Sequence, residues 1–251
     1  MTALPALPDD DPEAEIQRLA QDLRRANGPV MALVNRLGGR LEEQLGFLPE
    51  RSRAHLERAV GAALGASYGA ARQSERLGAP GPRGRMAAAV TAGALGGAGG
   101  LATALAELPV TVTLFLGAIR DEARRAGLDP DDPVIRAECL RIFGAGSPLA
   151  EDDGVNTSFL SARLTVTGPA LQKVIATVAP RFAAALGQKL AAQAVPLLGA
   201  LSGGALNAAF LSYYREVARI RFALLALAGR HGPEVMARFA AAATPARLRQ
   251  A

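Results

Sequence analysis

The chain has no tryptophan, one cysteine, two histidines and two lysines among its 251 residues, and aromatics make up only 4% of it. Each shortage removes a class of chemistry. With Cys139 as the only thiol, no disulfide closes within the chain and no thiolate cluster forms. His55 and His231 do not suffice for a multi-histidine site, so neither a metal nor another cofactor is expected. Nucleic-acid surfaces interleave basic clusters with aromatic platforms. Here the 26 arginines are spread over helix faces, mostly near Asp or Glu, and no nucleic-acid partner is expected. The opening "MTALPALPDDDPEAEIQRLA" is acidic where a signal peptide is basic, and it lacks an apolar centre. The expected location is therefore the cytoplasm.

Half of the residues are hydrophobic, and with so few aromatics they are chiefly Ala, Leu and Val, alongside 27 Gly. Such a core favours closely packed helices. The net charge of +5 comes from arginine, and an arginine-rich, lysine-poor composition says little about partners.

Punctuation along the chain is helical. In "DPEAEIQRLAQDLRRANG", Asp11 caps, Pro12 suits the first helical position, and Ile16, Leu19, Ala20 and Leu23 share one face before Asn27-Gly28 stops the helix. A second helix is expected after Pro29 and a third from about Pro49 to Leu77. "GAPGPRGR", residues 78–85, reads as a linker, either a domain boundary or a long loop. Pro109 is expected to start a helix that Gly127 ends, and Val134 to Phe143 to form another. From 165 to 243 the pattern is helical with breaks at Pro169, Pro180, Pro196 and Gly229. No stretch of consequence alternates as a strand does. The predicted fold is all-α: a single multi-helix domain with Gly/Ala-rich, tightly packed central helices. Its parts are a helical segment 1–77, the stretch 78–85, a core 86–243 and a basic tail 244–251.

Glycines recur every four residues at Gly61, Gly65 and Gly69, at Gly96 and Gly100, and at Gly199 and Gly203, followed by Gly204. On a helix this spacing makes a groove into which a neighbouring backbone fits. Other glycine patterns carry less. "GASYG" resembles a hydrolase turn around Ser67, but a helical segment precedes it where a strand is required. "GALGGAGG" and "GALSGG" lack the order of a nucleotide loop, and "AEDDG", residues 151–154 at its acidic end, lacks the alternation of a calcium loop.

Four polar residues stand in long apolar stretches: Glu107, Lys189, Gln193 and Asn207. An unpaired charge there would cost several kcal/mol. Glu107 is the nearest strong counter-charge for Lys189, and the two are predicted to share a polar cluster with Gln193 or Asn207. Two readings stay open: a structural network fixing helix register, or a polar pocket.

Two blocks, "GGAGGLATALAELPVTVTLFLGAIRDEARRAGLDPDDPVIRAECLRIF" and "KLAAQAVPLLGALSGGALNAAFLSYYREVARIRFALLALAGRHG", resemble the EcsC family. The likeness runs over roughly residues 78–232. Glu107 stands where the family pattern usually has Asp, and Arg221 where His is common. The resemblance implies a bacterial protein from a family named after a product encoded beside an ABC exporter, with a shared fold and no assigned reaction. The preferred expectation is a non-enzymatic helical protein on the cytoplasmic side, associated with the inner face of the membrane or with a membrane transport complex. The second is a soluble helical enzyme or small-ligand binder with its pocket at Glu107, Lys189, Gln193 and Asn207. A third, an integral protein, would use the charge-free runs 86–106 and 190–214, both dominated by Ala and Gly. The run from Lys189 to Phe210 is expected to be a tightly packed helical hairpin.

Overall fold

A computed structural model describes residues 11–26, 50–78, 80–98, 100–142 and 196–243. Seven α-helices occur among them: α1 (Pro12–Ala26), α2 (Glu50–Arg76), α3 (Pro82–Ala98), α4 (Gly100–Arg125), α5 (Pro133–Arg141), α6 (Pro196–His231) and α7 (Glu234–Ala243). No strand occurs among the described residues, and the fold is all-α. Also among the described residues, no helix is long and apolar enough to cross a membrane.

Local chemistry explains the ends. Asp11 accepts a hydrogen bond from the Glu13 amide, with Pro12 at the first helical position. Ile16, Leu19, Ala20 and Leu23 of α1 are all buried. Gly127 closes α4 at φ +76, while Leu128 N–H reaches back to Ala123 and Gly127 N–H to Arg124. That left-handed step satisfies carbonyls the helix end would otherwise strand. Five residues on, Asp132 caps α5, accepting from the Val134 and Ile135 amides at 2.8 and 3.2 Å, with Pro133 at the first helical position. The "GLDPDDP" turn is thus a stop and a start in one.

Several breaks fall elsewhere than the sequence suggests. Pro109 lies inside α4, a full two turns beyond its start. It gives no N–H to the carbonyl of Leu105, yet the helix continues because α4 packs on α2, α3, α5 and α6 together. Gly229 does not end α6, which runs on to His231 and turns at Gly232 (φ +98). The 78–85 stretch is shorter as a break than expected, since Pro82 opens α3 and Arg85 is already buried in it. The described part of the Lys189–Phe210 run, from Pro196 on, is one helix, and residues 189–195 of the expected hairpin lie outside the described residues.

Two apolar clusters hold the helices. The larger combines Leu64 and Tyr68 of α2, Phe115 and Ile119 of α4, Leu140 of α5, and Phe210 and Tyr214 of α6. The smaller joins Ile16 and Leu19 of α1 to Leu224 and Leu227 of α6 and Phe239 of α7. Phe115 and Tyr214 meet at a ring separation of 5.7 Å.

Candidate functional site

Close approach of α3 and α6 sets the first polar site. A Cβ on Gly93 would overlap the carbonyl oxygen of Gly203 and lie 2.7 Å from Asn207 Nδ2. One on Gly204 would meet the Val90 carbonyl at 3.1 Å. Only glycine allows the two backbones to come this near. A Cβ on Gly96 would overlap the carboxylate of Glu107, so this glycine makes room for a side chain rather than a helix. Gly100 and Gly199 are placed as backbone positions in the first turns of α4 and α6.

In the space so made, Asn207 is 1% exposed and its Nδ2 donates to the Ala89 carbonyl at 3.0 Å and to Glu107 Oε1 at 2.8 Å. Thr111 Oγ1 lies 3.3 Å from the same nitrogen and itself donates to Glu107 Oε1. Three acceptors around one amide nitrogen fix its orientation. Glu107 and Asn207 are thereby brought together across α4 and α6. Lys189 and Gln193 lie outside the described residues. Glu107 sits mid-helix, not at a helix start.

Spacing alone did not tell which glycines would be used. Among the described residues, a Cβ at Gly65 or Gly69 would meet nothing. Gly65 and Gly69 therefore pack against no described helix, while Gly93, outside the four-residue series, makes the tightest backbone contact among the described glycines. Ser67, on the same helix, is buried and donates to the Pro109 carbonyl at 3.2 Å.

A second polar site is built around Arg120, 1% exposed. Its Nε and Nη2 grip Glu75 at 2.8 and 2.9 Å, and Nη2 also reaches Asp131 at 3.1 Å. Arg124 pairs with Glu75 and with Asp121, and Arg85 with Asp121 and, at 2.8 Å, the Gly117 carbonyl. Tyr68 donates to the Pro130 carbonyl, and the guanidiniums of Arg120 and Arg136 lie 4.8 and 4.6 Å from its ring centre. Burial works to raise the pKa values of Glu75 and Asp131, but the neighbouring arginines hold both below their ordinary values. Burial pushes the Tyr68 hydroxyl up, and the Cys139 thiol up to about 12. Cys139 is thus an inert core group.

Residues 71–224 of the chain match the EcsC protein family. The chain belongs to the EcsC family. No curated protein matches it, and no solved structure does. Within the EcsC region lie the first polar site and all of the second except Tyr68, and the "RDEARRAGLDPDDP" stretch supplies Arg120, Asp121, Arg124 and Asp131 to the second. Arg221 is buried and pairs with Glu138 at 3.0 Å. Burial lowers its pKa and Glu138 opposes the shift. The position at which the resemblance implies a histidine thus holds an ion-paired arginine.

Two clefts accompany these sites, and neither is lined by Glu107 or Asn207. One, near 490 Å³, lies beside the Arg120 network. The other, near 650 Å³, is lined by Ala126, Ala223 and Ala226 together with Arg18, Arg125 and Arg219. Arg219 reaches Asp22 of α1 at 2.5 Å. Sequence reasoning missed the Arg120 network because its members looked like solvated helix faces. The local signal was a run of alternating charge ending at a Gly-Leu-Asp-Pro turn.

Proposed function

We propose that this EcsC-family protein is a non-enzymatic helical protein that works on the cytoplasmic face of a membrane, docking on lipid through the α3–α4 pair. The observation that carries the reading is an outer surface that holds no charge from residue 86 to residue 119 apart from Glu107, with the exposed Arg83 at its edge. On α3 the exposed positions Ala87, Thr91 and Leu95 recur every four residues; on α4 the exposed positions Thr103, Ala106 and Val110 recur at three and four. Leu95 is 69% and Val110 54% exposed. The outward faces of helices on water-soluble proteins ordinarily carry charge, and contiguous apolar surface marks an interaction site. From Met86 to Ile119 the sequence holds one charged residue, Glu107, and that one faces inward to Asn207. The net charge of +5 favours an anionic leaflet. Commitment of Glu107, Thr111 and Asn207 to one another supports a structural part for that cluster rather than a catalytic one.

Vesicle flotation tests the reading. The purified chain should float with vesicles containing phosphatidylglycerol and stay behind with purely zwitterionic ones at higher salt. The Leu95→Asp/Val110→Asp variant should lose flotation while keeping its helical content and melting temperature. Failure of the wild-type chain to float with any vesicle would remove the lipid reading. Recovery only with membranes that retain their proteins would move the partner from lipid to a membrane complex.

A further inference from the structure

We infer that the cleft between the end of α2 and the start of α3 binds a phosphate monoester or inorganic phosphate. The inference is independent of the α3–α4 surface. Five arginines line this cleft and three carboxylates oppose them, a surplus of two positive charges in a volume near 490 Å³. A phosphate monoester carries about −1.5 to −2 at neutral pH, which matches that surplus. Arginine is also the cation whose planar, five-donor fork suits phosphate oxygens.

The arginines divide by depth. Arg85 and Arg120 are buried and clamped, the first by Asp121 and the Gly117 carbonyl, the second by Glu75 and Asp131. They form a fixed floor. Around the rim, Arg72 is 49% exposed and touches Asp131 through Nε at 3.2 Å, which leaves both of its terminal nitrogens clear of that pair. Arg124 is 41% exposed. Arg76 is exposed and enters no ion pair among the described residues. The rim therefore offers unspent N–H donors above a rigid base, and Gly78 and Gly81 line the same cleft without a side chain. An oxyanion entering there displaces water from three guanidiniums and has to break no ion pair of the floor.

Other ligands fit worse. A metal cation would need carboxylate oxygens, and those of Glu75, Asp121 and Asp131 are already taken by arginines. Nucleic acid would want a stacking platform, and Tyr68, the aromatic ring nearest the network, is 3% exposed and covered by Arg120 and Arg136.

Calorimetric titration of the full chain with inorganic phosphate, at constant ionic strength in chloride, tests the assignment. Saturable binding is expected, with a rise in melting temperature that chloride does not give. Arg76→Gln should weaken binding several-fold and Arg72→Gln/Arg76→Gln at least tenfold. Because Arg76 makes no ion pair among the described residues, its single variant should melt as the wild type does, so a loss of affinity there is not a loss of fold. Arg18→Gln, in the other cleft, should bind normally. A second arm replaces free phosphate with vesicles containing phosphatidic acid, whose headgroup is a phosphate monoester, against phosphatidylglycerol, whose headgroup is a diester. Binding of free phosphate with no preference for phosphatidic acid assigns the site to a soluble ligand; a preference for phosphatidic acid that Arg76→Gln abolishes assigns it to a lipid headgroup. No saturable binding in either arm, or binding indifferent to the Arg72 and Arg76 substitutions, overturns the inference.

Discussion

Asn207 on α6 donates a 2.8 Å hydrogen bond to Glu107 on α4, 100 residues earlier in the chain. The same amide nitrogen holds the Ala89 carbonyl of α3, so one buried side chain ties three helices at a single point. Its position is available only because Gly93 and Gly96 leave the space empty.

Asn207→Leu should be destabilising by about 1–3 kcal/mol, because it removes the buried amide that donates to both the Ala89 carbonyl and Glu107. Glu107→Gln should cost less. The two together should show a coupling energy of about 1 kcal/mol in a urea-unfolding cycle, and strict additivity would mean they do not act as a pair.

Two glycines should answer the same substitution with opposite signs. Gly93→Ala pushes a methyl group into the Gly203 carbonyl, and overpacking of this kind costs about 1–3 kcal/mol. Gly65→Ala meets open space in the interior of α2 and should stabilise by about 0.5–1 kcal/mol through helix propensity. Thermal melts of both variants decide it. Stabilisation by both would show that Gly93 is not closely packed, and destabilisation by both that Gly65 is not open.

The Arg120 network should make stability depend on acid. Glu75 and Asp131 ionise below their ordinary values of 4.5 and 3.8 in the folded chain. Their contribution is present in full above about pH 4.5 and is lost as pH falls through the lowered folded values. Glu75→Gln should therefore be less stable than wild type at pH 7, with the gap narrowing below pH 4.5. A gap constant from pH 7 to pH 3 would mean that the Glu75 charge adds nothing. Arg120→Met removes the shared partner and should cost about 3–5 kcal/mol.

The all-α fold was legible because α1, α4 and α5 carry their own end signals: Asp11-Pro12, Gly127 and Asp132-Pro133. Pro109 and Gly229 misled for a physical reason. Both are poor helix residues on their own, but each lies in a helix packed on several others, and tertiary contact outweighs local propensity. The polar anomaly of Glu107 and Asn207 was visible as charge and amide in apolar runs. Which glycines face a backbone was not, because a four-residue spacing is the same on an outward face as on an inward one. The Arg120 network was hidden further still. Glu75, Arg85 and Arg120 come from α2, α3 and α4, and only tertiary folding shows that they meet.

The 36-residue helix α6 spans about 54 Å and belongs to both apolar clusters, Phe210 and Tyr214 in one and Leu224 and Leu227 in the other. A rod shared by two cores couples their fates: neither can melt while the other keeps α6 intact along its length. The described helices should accordingly denature as a single cooperative unit. By the same logic α1, which precedes the family-matched region, is no detachable appendage. Strain applied where α3 grips Gly203 would travel down an unbroken backbone to the helix pair α1 and α7 at the far end.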